Sequence, residues 1–170
     1  MKLLSNVRLL LVALWLGAAC FFSFAVAPGA FGVLPSRELA GIVVSRTLMI
    51  LNLSGLVLGS ILLASSFIKQ PEINRFRIWA ERFLLLILVA ACAVGQFVFA
   101  LWLSFVRAQI GRPIDEIAAD DPLKIQFNNL HQYSVWVLLA GMIAALLAFF
   151  LMAQKSEKKL VSEKINVQYN

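Results

Sequence analysis

This sequence is poor in the residues on which most site chemistry depends. It has a single histidine, His131, and two cysteines, Cys20 and Cys92, which lie far apart in apolar runs with no C-x-x-C spacing. A thiol in such a setting behaves as a small hydrophobe, and the paired, accessible cysteines of a membrane disulfide-shuttling enzyme are missing. One histidine rules out haem held by two histidines of one chain, and zinc or copper would need Asp, Cys or Met to complete the set. No metal or other cofactor is therefore expected. Charge is scarce too: only 14% of the 170 residues are Asp, Glu, Lys or Arg. The spans contain no nucleophile–base pair, phosphate loop or carboxylate dyad, so no catalytic residue is assigned and no enzyme activity is expected. The net charge of +6 is divided among short loops and a tail. A nucleic-acid partner would call for a basic stripe interleaved with aromatics, and none is present.

The apolar content is high, at 61% hydrophobic residues, well above the roughly 45–50% of soluble domains. Four runs are long enough to cross a hydrocarbon core of about 30 Å. They cover about 9–27, 47–68, 83–105 and 133–153. The expected fold is all-α: a polytopic, up-down bundle of four transmembrane helices within residues 1–154, followed by a basic tail, 155–170, frayed beyond about Glu157. Ala25-Val26-Ala27 imitates a signal-peptidase site and Leu16–Cys20 a lipoprotein box. However, the run from Leu9 is too long for a signal peptide and stays apolar beyond Cys20, so an uncleaved first helix is expected. Pro28, Gly29, Gly32 and Pro35 suggest a short connection. Ser36 reads as the cap of a helix starting near Arg37 and extending beyond the membrane surface. Lys69 to Arg82 reads as a compact basic connection, and Asp121-Pro122 as the start of a helix running into the fourth span.

Ten basic residues fall on the side of the first helix start, at Lys2, Arg8, Lys69, Arg75, Arg77, Arg82 and the four tail lysines. Five lie opposite: Arg37, Arg46, Arg107, Arg112 and Lys124. The basic-rich side is expected to be cytoplasmic, with both termini there, in an inner or plasma membrane. Trp15, Trp79, Trp102, Tyr133 and Trp136 read as interfacial aromatics.

Within the spans, Asn52 and Gln96 are the polar residues. They either line a path or bond across helices, the second being the plainer reading. Gly55-x-x-x-Gly59 in the second run and Gly141 in the fourth suit close helix packing. Arg46, Arg107 and His131 all fall near the outer interface, where a cluster would bind an anion or lipid headgroup. Snorkelling side chains are the plainer alternative.

Two segments resemble a known family. Phe24-Ala25-Val26-Ala27-Pro28-Gly29-Ala30-Phe31 is similar to the F-x-x-x-P-x-x-F element of the domain of unknown function 4149 family, which includes the animal proteins called transmembrane protein 205. Phe127-Asn128-Asn129-Leu130-His131-Gln132-Tyr133-Ser134 is similar to its F-x-x-x-H-x-x-S element. Pro28, Phe31, Phe127, His131 and Ser134 are the matching motif positions. Gln132 and Leu138 depart from the pattern, standing where Gly and Asn are frequent. The resemblance implies a four-helix integral membrane protein and no established activity. Two roles stay open: a protein that binds or moves a small solute or ion, as a homo-oligomer, and an accessory subunit packing against another membrane protein. The bilayer is a partner in both.

Overall fold

A computed structural model describes the backbone of residues 2–67 and 75–168, and side chains at 3–67 and 75–154. The expected end of the second span at Ile68 and the charge at Lys69 lie outside the described residues, as do the tail lysine side chains. Four helices are long and apolar enough to cross a membrane: Leu3–Val33, Arg37–Ser65, Arg75–Ile110 and Pro122–Gln154. The protein is an all-α polytopic membrane protein.

The first span comprises α1 (Lys2–Phe21), a π-helical turn (Phe22–Val26) and α2 (Ala27–Val33). The helix does not stop at Pro28, as the Pro-Gly cluster suggested. Proline lacks an N–H and crowds the preceding turn. Here the wider π turn lies just upstream and puts Pro28 in the first turn of α2, where a missing donor costs little. The connection shrinks to Leu34–Ser36. Ser36 is extended, and its Oγ accepts the Leu39 N–H at 3.2 Å to start α3 (Arg37–Ser65).

The third span comprises α4 (Arg75–Val94), a second π turn (Gly95–Ala100) and α5 (Leu101–Ile110). Arg75, Arg77 and Arg82, expected in a connection, therefore lie on helix. Gly111 ends α5 at φ +65°, its N–H returning to the Arg107 carbonyl, a left-handed cap that glycine takes without strain. After a short 3-10 turn at Ile114–Glu116, Asp121 Oδ1 accepts the Leu123 N–H at 2.8 Å and Pro122 opens α6 (Pro122–Gln168). The helix continues through 155–168. That stretch is rich in Lys and Glu and has no Gly or Pro to break it.

Each span packs against its two chain neighbours, and the first closes on the fourth, giving an up-down ring of four helices. Small side chains let the backbones approach: Ala19, Ala145 and Ala148 are wholly buried. Large apolar residues such as Phe24, Phe83 and Phe150 point outward, the inversion that a lipid solvent permits.

Candidate functional site

Three polar features run along the inside of the bundle. The first is at the end where α1 begins. Arg8 and Glu81, both 4% exposed, form an ion pair between the first and third spans, with Nη2 to Oε1 at 2.5 Å. The same Nη2 donates to the Leu62 carbonyl of α3 at 3.1 Å. Arg82 adds a fork on Ser66, Nε to Oγ at 3.2 Å and Nη2 to the carbonyl at 3.0 Å, and its guanidinium lies 4.1 Å from the Phe67 ring. Arg77 donates to the Leu151 carbonyl of α6 at 2.5 Å. Leu62 is in the last turn of α3 and Ser66 is its C-cap, at the end of the helix where partial negative charge gathers; the Leu62 carbonyl also accepts the Ser66 N–H at 3.1 Å. Arginines from the first and third spans thus fasten the ends of the second and fourth. The Arg8 and Arg77 Nε atoms are buried with no hydrogen-bond partner among the described residues.

The second feature is at mid-bundle. Trp15 is 4% exposed and donates its indole N–H to the Leu51 carbonyl at 3.1 Å, so it is a core residue rather than an interfacial one. Its ring and the Cys92 sulfur fill the space beside Gly55. A Cβ there would lie 2.6 Å from Sγ and would overlap the indole. One turn on, a Cβ at Gly59 would lie 2.8 Å from a Val89 methyl, and one at Gly141 would lie 3.1 Å from the Ala91 methyl. Next to this contact is a cavity of about 10 Å³ whose walls include Trp15, Asn52, Cys92, Gly95, Ser134 and Gly141. That volume holds about one water. Asn52 is 3% exposed, and no hydrogen bond to its amide is found among the described residues. It presses on Gly95, where a Cβ would lie 3.1 Å from Nδ2. Ser134 Oγ donates to the His131 carbonyl at 2.7 Å, which leaves its lone pairs available to accept. Gln96, in the adjacent π turn, buries an Oε1 with no partner among the described residues.

The third feature is at the far end. Arg107 is half-buried, its guanidinium against Gly41 of α3 and 5.7 Å from the Phe127 ring of α6. Arg46 and His131 are exposed, and neither shares a hydrogen bond, ion pair or ring contact with Arg107 among the described residues. Pro28 sits in the first turn of α2, and Phe31 is 47% exposed. Among the described residues no group of three His, Cys, Asp or Glu is placed to hold a metal.

Sequence reasoning missed Arg8, Glu81 and the buried role of Trp15. Arg8 and Glu81 stand at the edges of apolar runs and pass for topogenic charge. The available signal was spacing: Arg8, Val12, Trp15, Ala19 and Phe22 recur at three and four, and all five are buried. An arginine continuing a buried stripe is better read as core than as loop.

A bundle of four bilayer-length helices, apolar outside and with a largely apolar core that holds a few buried polar groups, defines an integral membrane protein. The family model described as domain of unknown function (DUF4149) matches residues 10–112, more than half of the chain, and the chain belongs to that family. No curated protein and no solved structure matches it. The matched region includes the Phe24–Phe31 element, Asn52, Cys92 and Arg107, and ends before the Phe127–Ser134 element.

Proposed function

We propose that this protein is a non-enzymatic, multi-pass protein of an inner or plasma membrane that binds or moves a small solute or ion through the centre of its bundle. The observation that carries this reading is the Asn52 amide, buried at the wall of a water-sized cavity between the four helices with no hydrogen bond among the described residues. An amide kept only for helix packing bonds across the interface, whereas one lining a solute site keeps its groups for the solute. The Gln96 carbonyl, without a partner among the described residues, and the π turn that carries it support the same reading, since π turns recur at functional sites. The excess of basic residues at the Arg8 end supports cytoplasmic termini. The two motif elements support kinship with the transmembrane protein 205 proteins within the family.

The test is flux in proteoliposomes, reading protons with an internal pH dye, chloride with a halide-quenched dye and water by light scattering. The wild type is expected to raise at least one flux above that of empty vesicles, and Asn52→Leu and Gln96→Leu to abolish it. Equal fluxes in wild type and both variants would remove the solute reading. They would favour an accessory subunit instead, for which the open space around Gly17, Gly29 and Gly32 on the first span offers a close-packing face.

A further inference from the structure

The guanidinium at the far end of the bundle takes no part in the central cavity, yet it stands over it. Gly41 precedes Leu48 and Asn52 by seven and eleven residues on α3, and Phe127 precedes Ser134 and Leu138 by the same steps on α6. These spacings return to one helix face. Both contacts of Arg107 therefore lie on the seam that walls the cavity, about two turns, or roughly 10 Å, farther out. Arg107 follows the cavity residue Gly95 by twelve residues, which in a regular helix would turn it about 120° away. The intervening π turn takes up one residue and brings it back to the seam.

The setting is that of a cation held ready for a partner. The Phe127 ring supports the guanidinium by cation–π attraction, and the missing side chain of Gly41 makes room for Nη2, which lies 2.9 Å from where a Cβ would be. No hydrogen bond or ion pair to this guanidinium is found among the described residues. Of the acids at this end, Asp121 caps α6 and Asp115 lies 3.9 Å from Arg37, and none, Glu38, Glu116 and Asp120 included, forms an ion pair with Arg107 among the described residues. A planar fork of N–H donors, packed beside Phe127 and Gly41 and without a hydrogen bond or ion pair among the described residues, matches two oxygens of one anion.

We propose that Arg107, seated between Gly41 and Phe127, is the binding site for a small oxyanion, a carboxylate or phosphate group presented either free in water or on a lipid headgroup. The site's place as an outer mouth of the cavity rests on the solute reading above; its binding of an oxyanion does not.

The experiment is a titration of arginine-¹⁵N-labelled protein in zwitterionic micelles, following the Arg107 Nε–H resonance, identified by its loss in Arg107→Gln. Sodium phosphate and sodium formate are added first, at ionic strength matched with sodium chloride, then phosphatidylglycerol against phosphatidylcholine. A saturable shift with phosphate or formate identifies a free oxyanion, and one seen only with phosphatidylglycerol identifies a headgroup. In Gly41→Val, which keeps the charge but pushes a side chain into the guanidinium, affinity is expected to fall roughly tenfold or more. No saturable shift with any of these probes, or affinity unchanged in Gly41→Val, overturns the proposal. Flux through the cavity is measured separately, so loss of either result leaves the other standing.

Discussion

Arg8 and Glu81 are a costly pair to keep. Each charge is nearly removed from water, and the attraction between them offsets that desolvation only while both are present. Removing one partner leaves a buried charge, at a cost of about 3–5 kcal/mol. Glu81→Ala is therefore expected to lower the midpoint of SDS-induced unfolding sharply, while Arg8→Met with Glu81→Leu recovers most of the loss. A double-mutant cycle gives the coupling directly, and additive losses would contradict a paired role. The pair was not legible in the sequence, because its members are 73 residues apart and each borders an apolar run. Only the helix register brings them together. Asn52 was legible as an intramembrane polar residue because nothing charged surrounds it, but which of its two readings holds depends on contacts that spacing does not give. Trp15 misled because tryptophan is a membrane-interface residue by habit, and the Leu51 carbonyl that satisfies its indole is on another helix.

At the scale of the element, helix starts followed from local chemistry. Ser36 and Asp121 cap the helices that their sequences announce. Ser36→Ala is expected to cost about 1 kcal/mol, read as a small shift in unfolding midpoint with little change in helical circular dichroism. The two π turns were not legible, since nothing in Phe22–Val26 or Gly95–Ala100 breaks the apolar pattern. Their effects are large: one carries Pro28 into a continuous helix, and the other rotates Arg107 onto the bundle seam. Glycines separate by what they touch. At Gly55 an added side chain meets the buried Trp15 ring and Cys92, which have nowhere to go, so Gly55→Leu is expected to prevent assembly of a monodisperse species on size exclusion. At Gly41 the neighbour is the end of a flexible arginine, so Gly41→Ala is expected to leave the unfolding midpoint within about 0.5 kcal/mol of wild type.

The whole molecule is a ring of four helices with a fastened end, a small polar centre and a cationic far end. Its class was legible because the bilayer imposes length and apolarity on each span. Its inner seam was legible in part: Asn52, Gly55, Gly59 and Gly141 stood out as polar or small intramembrane positions and lie on it, whereas Arg8, Glu81 and Trp15 were placed there only by contacts between helices. Arginine clasps at the Arg8 end and an open guanidinium at the other make the two ends chemically unlike, which suits a solute path with one resting opening. A path of this kind has to admit water to the central cavity at some point in its cycle. Cys92 lies on the cavity wall, and Cys20 is the one other thiol in the chain.

The most direct measurement is therefore the reaction of Cys92, in a Cys20→Ala background, with a small membrane-impermeant methanethiosulfonate applied to sealed proteoliposomes and scored by intact-protein mass. The account predicts single modification of the folded protein and a loss of flux in step with the fraction modified. A Cys92 that stays unmodified until the protein is denatured would contradict a central solute path.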